Sequence, residues 1–234
     1  EEYYASGMPI MRHHLLTYPG DTLAHGRDDQ YLFGPDLLVA PVITAGATER
    51  SLYLPEGDWV EWWRSVEYAE TSGRFSLITS RMHTGSKEVV VDAPRDEIPM
   101  FVRAGAVIPM LAPDVYTLAA HGAADPAIVR LADRADQLHL LAFPRGTTTG
   151  KFFDTGTYSS VESPERWTLS IGDTMSRTVH LQVGLDTLMQ PFAPCAVSTG
   201  GTLLDPSRWL YDAPSGVLSV SFPSAAGVLE VLGC

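Results

Sequence analysis

Apolar and polar residues alternate in short stretches over most of this chain. In Thr178 to Val183 the apolar Val179, Leu181 and Val183 alternate with Thr178, His180 and Gln182. Such a period of two gives a strand one buried and one wet face. Leu218, Val220 and Phe222 alternate in the same way with Ser219 and Ser221, and Leu169 and Ile171 with Thr168 and Ser170. Turn chemistry separates the stretches: Pro55-Glu56-Gly57-Asp58 reads as a tight turn between strands, as does Pro214-Ser215-Gly216 before Val217. No long amphipathic helical pattern interrupts the series from Leu37 onward, so the spacing predicts antiparallel strands in β-sandwich architecture.

The first forty residues read differently. Arg12 to Leu16 predicts a strand, Tyr18-Pro19-Gly20-Asp21 a turn, and Asp28 to Gly34 a short helix with an Asp as its N-cap and Gly34 as its stop. The small residues from Ala112 to Asp125 predict a connection between two strand-rich blocks, hence two β modules.

With 45% hydrophobic and 19% charged residues, the 234-residue chain has enough apolar surface to form a core. Its formal charge of −12 excludes nucleic-acid binding driven by phosphate neutralisation and disfavours an anionic membrane surface. Such a balance is better suited to uncharged partners such as neutral saccharides. No apolar run approaches the roughly 20 residues of a membrane-spanning helix. Cys195 and Cys234 are too few for a disulfide framework, and the sequence leaves open both their pairing and the compartment. The chain starts without Met and without a basic signal-like segment, and is expected to be a piece of a longer protein.

The run from Gly7-Met8-Pro9-Ile10-Met11-Arg12 through Tyr18-Pro19-Gly20-Asp21 to Asp29-Gln30-Tyr31-Leu32-Phe33-Gly34-Pro35-Asp36-Leu37-Leu38-Val39-Ala40-Pro41-Val42 resembles glycoside hydrolase family 31, the α-glucosidases and α-xylosidases. The likeness continues through Ala47-Thr48-Glu49-Arg50, Tyr53-Leu54-Pro55-Glu56-Gly57-Asp58-Trp59 and Asp96-Glu97-Ile98-Pro99-Met100-Phe101-Val102-Arg103-Ala104-Gly105-Ala106-Val107-Ile108-Pro109. It implies a mainly β fold: the end of a (β/α)8 barrel over residues 1–36, a proximal β-sandwich over 37–112 and a distal one over 113–234. In the distal part, Lys151 to Tyr158 resembles the family's Tyr-x-Asp-Asp-Gly type turn, with Thr155 at the second acidic position. The resemblance further implies retaining hydrolysis of α-linked glucosides or xylosides by two carboxylates about 5 Å apart. In the family both are Asp residues on earlier barrel strands, so the resemblance implies that they lie upstream of Glu1; a whole barrel takes about 250 residues. No catalytic, substrate-binding or metal residue of the pattern therefore falls on this sequence, and no cofactor is implied. The substrate would be met by the upstream barrel, with the present residues as its brace and inactive alone. The alternative is a non-catalytic carbohydrate-binding or oligomerisation module, and self-association stays open.

Local chemistry fits these readings. Asp28-Asp29 and Asp96-Glu97 are adjacent pairs that point to opposite strand faces, or about 100 degrees apart on a helix, and cannot clamp one bond. Capping and solvation suit the first pair, a turn or an ion pair the second. His13, His14 and His25 lack partners at a ligand spacing, so no metal site is expected; at a barrel mouth His13 or His14 would face the catalytic side. Among Trp59, Trp62 and Trp63, core packing is expected for Trp59 and one of the others, and only a surface-facing Trp would stack on a sugar. Cys195 has no activating neighbour, and the glycines at 146–150 and 200–201 lack a phosphate-loop Lys.

Overall fold

The computed structural model describes residues 2–120, 125, 127–152, 156–173 and 175–234. Two expectations therefore fall partly outside the described residues: the small-residue connection across 121–124, and the acidic turn at 153–155. The chain divides into two compact units, Glu1–Ser65 with Ser80–Ala104, and Val66–Thr79 with Gly105–Cys234.

The first unit is built on a six-stranded sheet. Its spatial order is Met11–Arg12, Tyr31–Phe33, Leu37–Val39, Met100–Arg103, Asp58–Glu61 and Met82–Thr84, and every neighbouring pair is antiparallel. A second ladder pairs Glu49–Leu54 with Lys87–Asp92. Leu32, Leu38, Leu52, Leu54, Trp59 and Phe101 are completely buried and form its core. The Pro55 to Asp58 turn joins strands of different sheets, and it is crossed closely by Gly85, where a Cβ would lie 1.8 Å from the Pro55 carbonyl oxygen.

The barrel expected over residues 1–36 is not what these residues form. Barrel strands run parallel with helices between them, whereas Met11–Arg12 pairs antiparallel with Tyr31–Phe33, which turns at Gly34 (φ 65°) into a hairpin with Leu37–Val39. The strand predicted from Arg12 to Leu16 ends at Arg12. There the His13 ring nitrogen Nδ1 accepts from the Leu15 N–H and starts a 3-10 turn, His14–Leu16. The helix predicted from Asp28 to Gly34 is absent, because Asp29 is drawn into ion pairs with Arg27 and Arg50 instead of capping. The N-cap of this region is Asp21, whose carboxylate accepts from the Ala24 N–H ahead of the single turn Thr22–His25.

The second unit has two sheets sharing one core. The first runs Val107–Met110, Gln137–Ala142, Thr178–Gly184, Val217–Pro223, Trp209–Asp212; the second runs Thr147–Phe152, Gly156–Ser163, Arg166–Gly172, Val228–Gly233, Pro194–Thr199, Thr202–Leu203. Between them lie Trp167, Leu169, Val179, Leu181, Leu218 and Phe222, the apolar halves of the alternating stretches. Pro214-Ser215-Gly216 closes the hairpin between Trp209–Asp212 and Val217–Pro223, with Gly216 at φ 71°. The sandwich is not wholly antiparallel: Gln137–Ala142 and Thr178–Gly184 run parallel. Parallel neighbours need a long crossover, and here three strands of the second sheet intervene in the chain between them. Cys195 and Cys234 form a disulfide across the ends of two adjacent strands, 39 residues apart in sequence with a Cα–Cα distance of 5.1 Å.

Candidate functional site

The two adjacent carboxylate pairs set aside as catalytic groups divide between solvent and ion pairs. Asp28 is exposed. Asp29 pairs with Arg27 at 3.0 Å and Arg50 at 2.7 Å. Partial burial pushes its carboxyl up, but the hydrogen bonds from Arg50 and Arg27 outweigh it and hold Asp29 below the usual carboxylate range. Asp96 is exposed in a turn, and Glu97 pairs with Arg64 at 2.8 Å. A further carboxylate, Glu61, is buried beside His83 Nε2 at 2.9 Å and Arg81 at 3.3 Å.

The histidines separate. His14 is fully buried, and the Gln30 side-chain amide nitrogen lies 2.9 Å from its Nε2 while the same amide exchanges two hydrogen bonds with the Tyr53 backbone. Burial, then the neighbouring His13, lowers His14 to about 4, so it stays neutral as a core hydrogen-bonding group. His25 Nε2 bonds the Tyr18 carbonyl at 3.0 Å. Among the described residues no group of three His, Cys, Asp or Glu side chains is arranged to hold a metal. Trp59 and Trp62 are buried, whereas Trp63 is half-buried and donates from Nε1 to the Ile98 carbonyl at 2.7 Å.

Two surfaces stand out instead. Within the first unit, the opening residues expose large apolar side chains: Tyr4, Ile10, Met11, Leu15, Leu16 and Leu23, with Tyr4 96% accessible. In the second unit, the hairpin of Val66–Ala69 and Arg74–Leu77 lies on the wet face of the five-stranded sheet. The Gln182 amide fastens it, accepting from the Leu77 N–H at 2.8 Å and donating to the Phe75 carbonyl at 3.3 Å.

Beside this hairpin is an open cleft of about 550 Å³ lined by Arg74, Asp114, Arg134, Gln137, His139, His180, Ser219 and Ser221 among others. The same alternation that sends Leu138, Leu140, Val179 and Leu181 inward turns Gln137, His139, His180 and Gln182 outward. In register across the parallel ladder, the His139 and His180 rings stack with centroids 4.6 Å apart and planes at 23°. Gln137 Oε1 lies 3.1 Å from His139 Nε2, and Ser221 Oγ 3.1 Å from His180 Nδ1. Burial, then His180 and Arg74, lowers His139 to about 4; burial and then Arg74 lower His180 as well. Asp114 is gripped by Arg134 through Nε and Nη2. The cleft presents hydrogen-bond donors and acceptors side by side. Sequence reasoning missed it because His139 and His180 each sit at an ordinary polar position of a strand, and only the parallel register brings them together.

Residues 7–108 match the family described as glycosyl hydrolase family 31 C-terminal domain. The chain is 27% identical over 243 residues to the isomaltosyltransferase of Sporosarcina globispora, covering 97% of this chain and 20% of that protein. It is 32% identical over 113 residues to the alpha-xylosidase of Saccharolobus solfataricus, covering 48% of this chain and 13% of that one. Its fold is like that of the dextranase FjDex31A of Flavobacterium johnsoniae, with a TM-score of 0.73 at 22% identity over 99% of this chain and 30% of the other. The chain thus spans a fifth or less of the length of these two curated relatives.

Proposed function

Residues 7–108 belong to the C-terminal domain of glycosyl hydrolase family 31, and on that premise we propose that the chain is the non-catalytic C-terminal part of a retaining glycosidase acting on α-linked glucosides or xylosides. Retention needs two carboxylates facing each other across the anomeric carbon at about 5 Å. Asp29 and Glu97 are each committed to guanidinium partners. The reacting pair therefore belongs to the remainder of the parent protein, and the two units here serve as its proximal and distal braces.

The observation that carries this reading is the set of exposed apolar side chains at Tyr4, Ile10, Met11, Leu15, Leu16 and Leu23. Large apolar side chains gathered in one short segment mark a surface that something covers, and the relatives are several times longer than this chain. The covering occupant is the catalytic part of the same polypeptide. The test is to assay the purified 234-residue chain and its parent on nitrophenyl α-glucoside and α-xyloside. Turnover by the parent alone is expected, and Leu15→Ser with Leu16→Ser should lower the parent's melting temperature while improving the solubility of the isolated chain. Turnover by the isolated chain, free of host enzyme, overturns the reading.

A further inference from the structure

We propose that the cleft beside the Val66–Leu77 hairpin is an oxyanion-binding site, taking a carboxylate, sulfate or phosphate group against the Arg74 guanidinium with His139, His180, Ser219 and Ser221 as further hydrogen-bonding partners. The inference concerns the second unit alone and stands apart from the glycosidase reading.

Charge is the first argument. The chain carries a formal charge of −12, yet the cleft is lined by two guanidiniums, Arg74 and Arg134, against one carboxylate, Asp114. Asp114 and Arg134 neutralise each other in a two-point contact. Arg74 makes no ion pair or side-chain hydrogen bond among the described residues, so its planar fork of five N–H donors is available to a bidentate acceptor.

Geometry is the second. His139 and His180 stack beside that guanidinium, and both rings are influenced by its charge. Gln137 and Ser221 each hold one ring nitrogen, which fixes the orientation of both imidazoles. Each ring keeps its second nitrogen, and Ser219 and Ser221 contribute hydroxyls on the neighbouring strand. Two stacked imidazoles next to an arginine repel a proton from one another. An anion seated among them reverses that repulsion, because the charged imidazolium becomes its partner. The titratable and charged groups facing the pair are Arg74, Asp114 and Arg134, and of these only Arg74 is left without an opposite charge. Anion binding is therefore coupled to proton uptake by His139 and His180, and tightens as pH falls.

Calorimetric titration of the chain with sulfate, phosphate and glucuronate, with glucose as the uncharged control at constant ionic strength, tests the proposal. Saturable binding of an anion but not of glucose is expected, several-fold tighter at ~pH 5.5 than at ~pH 7.5. Preference for glucuronate would assign the group to an acidic sugar, and preference for sulfate or phosphate to a free inorganic anion. Arg74→Met should weaken binding about tenfold or more with its melting temperature retained; Arg74→Gln repeats the test if that variant folds poorly. His139→Gln with His180→Gln should weaken binding several-fold and flatten its pH dependence. Glucose binding as tightly as glucuronate, no anion binding at all, or unchanged affinity in both Arg74 variants overturns the proposal.

Discussion

His139 and His180 are neighbours across a parallel ladder, held ring on ring at 4.6 Å between one strand entering the sheet and another that returns to it 41 residues later. Burial of both rings, with Arg74 nearby, favours the neutral form of each.

This has a direct consequence for stability against pH. In the unfolded chain an imidazole takes a proton near its ordinary value of 6.5, whereas His139 and His14 in the fold do so only at about 4, and His180 is lowered as well. Between those values the unfolded state binds more protons, so stability falls as the pH drops from 6.5 toward 4 and is fully present above 6.5. Urea melts across that window should show a loss on the order of 3 kcal/mol from the buried His14, with the half-exposed His139 and His180 adding less than their shifts suggest because solvent screens them. His139→Gln with His180→Gln should remove part of the slope; a slope unaltered by that double variant would show that the pair does not contribute.

The disulfide offers a second measurement. Joining Cys195 to Cys234 closes a loop with a sequence separation of 39, and chain-entropy arguments assign such a loop about 3–4 kcal/mol. Cys195→Ala with Cys234→Ala, or reductant, should lower the denaturation midpoint of the second unit by several degrees. An identical midpoint with and without reductant would mean that the strand pairing from Pro194 to Gly233 suffices without the bond.

Asp29 is a third point of attack. Asp29→Asn deprives Arg27 and Arg50 of their shared carboxylate, with side chains of which 18% and 10% is accessible. A cost of about 2 kcal/mol is expected in urea unfolding. Since folding lowers the Asp29 pKa, that contribution is complete above the unfolded carboxyl value and fades only in strong acid, through the folded one. Full stability in the variant would show that Glu88, which already holds Arg27 at 2.8 Å, compensates.

Tryptophan emission discriminates sugar binding from packing. With Trp59, Trp62 and Trp167 buried, maltooligosaccharides should leave the emission of the chain unchanged. A saturable shift that disappears in Trp63→Phe would instead make the half-buried Trp63 a sugar platform.

The sequence made the interior legible where one strand carries its own period. Val179, Leu181 and Val183 read as buried and are buried, and the turn at Pro214 to Gly216 joins the strands it was expected to join. It misled where a distant residue decides. Asp28 to Gly34 has local helix signals, but Arg50, 21 residues on, bonds the Asp29 backbone and side chain and the segment becomes a strand. The anion-binding cleft was illegible for the same reason: His139 and His180 are unremarkable singly, and the parallel register that joins them leaves no mark on either strand's alternation.

The second unit also sets an order of events on the ribosome. Its hairpin, Val66–Ala69 with Arg74–Leu77, is made early, yet Gln182, which fastens it, lies 105 residues beyond Leu77. At roughly 5–20 residues per second the wait is about 5–20 seconds, and a two-stranded ribbon is marginally stable by itself. During synthesis the hairpin therefore emerges well before the sheet that receives it. Cutting the chain at Ala104 would leave that hairpin without its receiving sheet, so an expression boundary placed there yields a first unit carrying a ribbon that has lost the Gln182 contacts.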